Sequence, residues 1–144
     1  MKTTPLYTIK KNPTEFPQTK VQTPKEAADF IRQFYSDDIE IFESCFILLI
    51  SRNNTTQAFA KISQGGTAGT VVEPKVVAKY AVDSLCSGVI IAHNHPSGNL
   101  NPSSQDIDIT KKINEGLKLF DIALLDHIIL TADGHTSLKE CGQM

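Results

Sequence analysis

The segment Phe46–Ile50 is apolar at every position. A strand without a polar face must be covered on both sides, which calls for helices packed above and below a sheet. The neighbouring pattern supplies them. Thr23-Pro24-Lys25-Glu26 reads as a capping box with proline at the first helical position. Ala27, Ile31, Phe34 and Tyr35 continue it as one apolar stripe, until Ser36-Asp37-Asp38 breaks the helix. Arg52-Asn53-Asn54-Thr55 is a polar turn, and Thr56–Ser63 alternates with Ala58, Ala60 and Ile62 on one face, so this stretch predicts a hairpin with Phe46–Ile50. Gly65-Gly66 and Gly69 form a loop that lacks the Gly-Lys-Ser/Thr of a phosphate-binding loop. A second helix starts near Pro74, buries Val77, Tyr80, Ala81, Ser84 and Leu85, and is ended by Gly88. Val89–Ala92 is a short buried strand. A third helix starts near Ser103 with a stripe of Ile109, Ile113, Leu117 and Phe120, weakened by Gly116. Ile122–Leu130 predicts a strand interrupted by Asp126-His127, and Asp133-Gly134 turns the chain into a short return strand at Thr136–Leu138. The predicted fold is α/β: one domain, with a mixed β-sheet flanked by helices.

A chain of 144 residues has room for one such domain. Residues 1–21 read as an N-terminal arm, with Pro5, Pro13 and Pro17 and few apolar residues, and residues 22–144 as the domain. Within the arm, Leu6–Ile9 alternates and suits one edge strand. Fourteen Lys and Arg against sixteen Asp and Glu give a formal charge of −2, and Lys61, Lys75 and Lys79 are scattered. No electrostatic footprint for direct binding of nucleic acid or an anionic membrane follows from that balance. The longest apolar stretch, Cys45–Ile50, is six residues, whereas a membrane span needs ~20. The N-terminus lacks the apolar core of a secretory signal. Cys45, Cys86 and Cys141 are odd in number and form no Cys-x-x-Cys pair, which favours free thiols in a reducing compartment. The expectation is a soluble, cytoplasmic protein.

The chemistry concentrates where Val89–Ala92 runs into His93-Asn94-His95-Pro96-Ser97-Gly98. Side chains two apart on extended chain point to the same side, so His93 and His95 face together from a strand end, where open α/β sheets place their ligands. Asp106 follows in the first turn of the third helix. Two imidazoles and a carboxylate suit zinc and leave a fourth position for water. Ser103-x-x-Asp106 also has a purely structural reading, a helix capping box with Ser103 as N-cap. Elsewhere, His127 reads as a core histidine satisfied by a hydrogen bond, His135 as an exposed turn residue, and Ser97-Gly98 as a turn. A zinc nucleobase deaminase needs His-x-Glu and Pro-Cys-x-x-Cys, and a serine hydrolase favours Gly-x-Ser-x-Gly. None of these is present.

His-x-His-Pro, six residues, then Ser-x-x-Asp resembles the JAMM motif of the JAB/MPN metallopeptidases. The RadC-like branch is the nearest in pattern. His93-Asn-His-Pro-Ser-Gly98, Pro102-Ser103, Gly65-Gly66 before Val71-Val72-Glu-Pro74, and Asp126-His127-Ile-Ile are all similar to it. The similarity spans roughly residues 22 to 142. It implies a cytidine-deaminase-like JAB/MPN fold and a zinc ion held by His93, His95 and Asp106. It also implies two catalytic residues, Ser103 and a glutamate upstream of the first apolar strand. Glu43 matches that last position, with Glu40 as its rival. Asn94 stands where deubiquitinating relatives carry Ser or Thr, so a ubiquitin substrate gains no support. RadC-like proteins often carry a helix-hairpin-helix domain where this chain has a short arm, so the family's association with DNA repair gains none either.

The implied activity is zinc-dependent hydrolysis of a peptide or isopeptide bond in an unidentified peptide or protein substrate. Glu43 would move the proton, while the metal and Ser103 would stabilise the oxyanion. The alternative is a metal-binding but non-catalytic domain that binds a partner, on DNA-associated machinery for instance. Direct DNA contact through the arm is a third reading, with less behind it.

Overall fold

A computed structural model describes residues 1–65 and 71–144 of the chain. Its elements run α1 (Pro24–Arg32), β1 (Ser44–Ile50), β2 (Thr56–Gln64), α2 (Pro74–Ser84), β3 (Gly88–Asn94), α3 (Ser104–Lys118), β4 (Ala123–Leu130) and β5 (His135–Ser137), with a 3-10 turn at Asp37–Glu40. The strands form one sheet in the order β2-β1-β3-β4-β5. β3 and β4 pair in parallel across α3, and the other pairs are antiparallel. The sheet is therefore mixed, as the hairpins and the helical crossover require.

Every residue of β1 and β3 is buried. Strand alternation divides their side chains between two cores. Phe46, Leu48, Ile50, Ile90, Ala92, Ile128 and Leu130 pack on α1 through Ala27, Ala28, Phe30 and Ile31. Cys45, Ile47, Leu49, Val89 and Ile91 pack on the other face, against Val77 and Ala81 of α2 and Ile113 and Leu117 of α3. Each fully buried Leu or Ile contributes about 1.5–3 kcal/mol from removal of apolar surface. The central strands are thus the best-anchored part of the molecule. Ala58, Ala60 and Ile62 of β2 extend the second core, as their alternation predicts.

The arm is not wholly detached. Residues 1–15 are exposed, but Phe16 packs edge-on against Phe30, Phe34 and Phe59. Lys20 bridges to Thr55 at the outer edge of β2, and Val21 is buried. Leu6–Ile9 forms no strand. Its alternation lacks a partner, and backbone hydrogen bonds to a sheet edge are what an isolated four-residue strand would need.

Local expectations and structure differ at several further places, among them the end of α1, which stops at Arg32 and leaves Phe34 and Tyr35 beyond the helix. The Asp126-His127 pair does not interrupt β4: both residues are buried within it, because each finds polar partners. Phe120 is 54 % exposed, since α3 has already ended at Lys118 and the helical period no longer applies. His135 is half-buried as the first residue of β5 rather than exposed at the turn. Gly88 does not end α2. Leu85 does so, in the left-handed conformation (φ 54°) and 85 % exposed, so it lines no core. Gly88 opens β3 instead, where a Cβ would meet the Leu125 side chain at 2.6 Å. Gly66 and Gly69 lie outside the described residues.

A non-glycine residue in the left-handed region costs about 1–2 kcal/mol. Leu85→Gly is expected to raise unfolding stability by about 1 kcal/mol in urea titration, the added chain entropy of glycine offsetting part of the relief.

Candidate metal centre

The site is built where β3 ends and α3 begins. β3 is flanked by neighbours up to its last residues: His93 pairs with Cys45 of β1 and Ile129 of β4, and the His95 N–H donates to the Leu130 carbonyl at 2.9 Å. Alternation then sends His93 and His95 to the face that carries α2 and α3. Past His95 the chain turns at once. Gly98 N–H donates to the His95 carbonyl at 3.0 Å, with proline second in the turn and Gly98 at φ 85°. The turn returns the Asn99 carbonyl to the His95 ring, 2.6 Å from Nδ1. The Ser97-Gly98 turn is thus present, and it positions a histidine.

Ser103 caps α3. Its Oγ accepts from the Asp106 N–H at 3.0 Å, and the Asp106 Oδ2 accepts from the Ser103 N–H at 2.8 Å. The reciprocal pair fixes the Asp106 carboxylate at the helix head, with Oδ1 3.4 Å from His93 Nε2 and Oδ2 3.5 Å from His95 Nε2. The two readings of Asp106 are therefore compatible: one carboxylate closes the cap and faces both imidazoles. Burial by itself would raise the Asp106 carboxyl. The His93 and His95 rings and the Ser103 N–H outweigh it and hold the group well below the usual carboxylate range. His95 is raised, chiefly by its hydrogen bond to Asp106.

Glu43 stands across the cluster, half-buried, with Oε1 4.0 Å from His95 Nε2. Glu40, the rival, lies exposed at the end of the 3-10 turn. What holds Glu43 is a residue whose role the sequence did not disclose. Asn94, between the two histidines, points to the opposite face and is fully buried. Its Oδ1 accepts from Ser44 N–H at 2.7 Å, and its Nδ2 donates to the Ile39 and Phe42 carbonyls at 2.6 and 2.8 Å. One amide side chain thereby ties the segment on both sides of Glu43 to β3.

Behind His93 lies His127 of β4, 1 % exposed, with its Nε2 2.7 Å from His93 Nδ1 and its Nδ1 2.6 Å from Thr110 Oγ1. The expectation of a hydrogen-bonded core histidine is met. Burial, and then the His93 ring, hold His127 down to about 3, so the ring is neutral. The signal for Thr110 was available in the spacing, since it sits four residues after Asp106 and so on the same face of α3.

Glu43, His93 and His95 offer donor atoms that all lie within 4.8 Å of one another, enough to hold a metal ion. Donors about 2.0–2.1 Å from a tetrahedral zinc stand about 3.4 Å from each other. The His93 and His95 Nε2 atoms are 3.0 Å apart, and the Asp106 oxygens 3.4 and 3.5 Å from them. Both imidazoles and Asp106 fit that spacing, and Glu43, at 4.0 Å, is the looser member. Two nitrogens and one or two carboxylates make a donor set suited to a divalent ion.

A strand-end histidine pair aimed at a helix-head carboxylate, on a mixed sheet between helices, defines an α/β domain with a candidate metal centre. The chain belongs to the RadC-like JAB domain family, whose model matches residues 21–143. Among curated relatives, a UPF0758 protein of Flavobacterium johnsoniae is 39 % identical over 100 residues, covering 69 % of this chain and 44 % of the relative. A UPF0758 protein of Coprothermobacter proteolyticus is 33 % identical over 123 residues, covering 84 % and 52 %. One from Neisseria meningitidis is 35 % identical over 121 residues, covering 84 % and 53 %. The chain spans about half the length of the curated relatives it matches. Among the described residues no helix is long and apolar enough to cross a membrane.

Asn94→Ala would leave the buried Ser44 N–H unpaired, at about 1–3 kcal/mol, and would release the partly exposed Ile39 and Phe42 carbonyls to solvent. The expected loss of unfolding stability is about 1–3 kcal/mol by chemical denaturation. Asn94→Asp, which keeps the acceptor for Ser44, should fall between wild type and Asn94→Ala.

Proposed function

We propose that the chain is a zinc-dependent hydrolase of peptide or isopeptide bonds, with His93, His95 and Asp106 holding the ion. The observation that carries the reading is the convergence of both Nε2 atoms and the Asp106 carboxylate within 3.5 Å, with Glu43 beside them. When bound, zinc supplies a water acidic enough to lose its proton near neutrality.

Glu43 would take that proton and return it to the leaving amine. Its position outside the tighter donor spacing suits a proton carrier better than a ligand. Ser103 Oγ already accepts from the Asp106 N–H, so its own proton is left to donate to the developing oxyanion. Ser103 is exposed at the helix head. The Asp106 charge offsets that of the ion and steadies both rings. The substrate is a peptide or protein whose identity rests with the surrounding loops, and a cytoplasmic setting suits the free thiols of Cys45 and Cys86.

Purified protein is expected to carry about one zinc per chain by elemental analysis, and His93→Ala or His95→Ala to lose most of it. Full zinc in both variants would end the assignment. Asp106→Asn keeps the shape of the cap and removes the charge, so weaker zinc binding with modest loss of stability is expected. Glu43→Gln should keep zinc and fold while hydrolysis falls at least ~100-fold, and Glu40→Gln should change little. A proteome-wide comparison of cleavage products between wild type and Glu43→Gln supplies the substrate. Cleavage products that are identical in the two, with zinc bound, would favour a non-catalytic partner-binding domain.

A further inference from the structure

Two backbone carbonyls, which can only accept, and the fully buried His127 ring determine where the protons of this centre lie. The Thr110 hydroxyl has one proton, and it goes to the Asp106 carbonyl oxygen one turn back, 2.5 Å away, because a carbonyl cannot donate. Toward His127, Thr110 can then only accept, so the His127 proton sits on Nδ1, 2.6 Å from Thr110 Oγ1. The neutral His127 ring is left with a bare Nε2. That atom faces His93 Nδ1 at 2.7 Å, so His93 carries a proton on Nδ1, which leaves Nε2 as the nitrogen that can be bare. His95 reaches the same state independently, since its Nδ1 meets the Asn99 carbonyl at 2.6 Å.

We infer that the Thr110–His127 pair is a buried positioning relay that locks His93 in the tautomer with Nε2 free to bind a metal. The inference rests on the proposed metal-site reading and extends it to two residues that touch no substrate. The relay starts on the backbone of Asp106 itself and ends on His93. The helix that delivers the carboxylate therefore also sets the proton of the ring opposite it. Both Nε2 atoms then face each other 3.0 Å apart, beside the Asp106 carboxylate. Removing an outer partner of this kind commonly lowers metal affinity about 10–100-fold.

Histidine-selective nitrogen-15 NMR of the full chain, metal-free and at alkaline pH, reads the tautomers directly, and chelator competition reads zinc affinity. In wild type, His93 and His127 should both be protonated at Nδ1. Thr110→Val removes the acceptor that holds His127. It should move a fraction of both rings to the Nε2-protonated form and weaken zinc about tenfold, whereas Thr110→Ser should restore both readouts. His127→Leu should weaken zinc by about 10–100-fold with His93 in mixed tautomers. A structural role alone predicts lower stability with unchanged tautomers and unchanged affinity of the folded protein, and that result overturns the relay. So does a wild-type His93 protonated at Nε2. Should His127→Leu fail to fold, the Thr110 pair decides. Should wild type bind no zinc, the hydrolase reading falls, while the metal-free tautomers still decide the relay.

Discussion

The centre depends first on the pairing of β3 on both sides up to its end. A free strand end frays, and side chains on it sample many directions. Here His93 lies between Cys45 and Ile129, and the His95 N–H is still bound to Leu130. The parallel partner β4 makes this possible, because it continues beside β3 and offers a carbonyl one step past the end of β3. Two imidazoles are therefore held by backbone hydrogen bonds before any side-chain contact is made.

The second constraint is that α3 must begin at the right height above the sheet. The capping pair of Ser103 and Asp106 does this with the same carboxylate that faces the histidines. A helix start normally leaves N–H groups unpaired. At this one, the satisfied cap and the aimed carboxylate are a single arrangement, so the stability of the helix and the geometry of the site rise and fall together.

Much of this was legible in the sequence because it follows from periodicity and local chemistry. The apolar run at Phe46–Ile50, the capping signals at Thr23 and Ser103, and the two-residue spacing of His93 and His95 each act within a few residues. What was illegible depends on distance along the chain. Asn94 gave no hint that it binds carbonyls some fifty residues earlier. His127 read correctly as a satisfied core histidine, but which group satisfied it depended on how β4 lies beside β3. Asp126-His127 looked like an interruption because most partners of two polar residues in an apolar strand lie on other elements. Ser137, on the adjacent β5, supplies one for Asp126 at 2.6 Å. Leu85 was misread because a left-handed leucine violates the local preference that sequence reasoning relies on.

The alternation of His93, Asn94 and His95 also bears on how the protein folds. A slip of β3 by one residue would turn Asn94 toward α3 and both imidazoles into the apolar core beneath α1. Neither core could satisfy what it received. Mispaired chains would thus lack a donor cluster altogether.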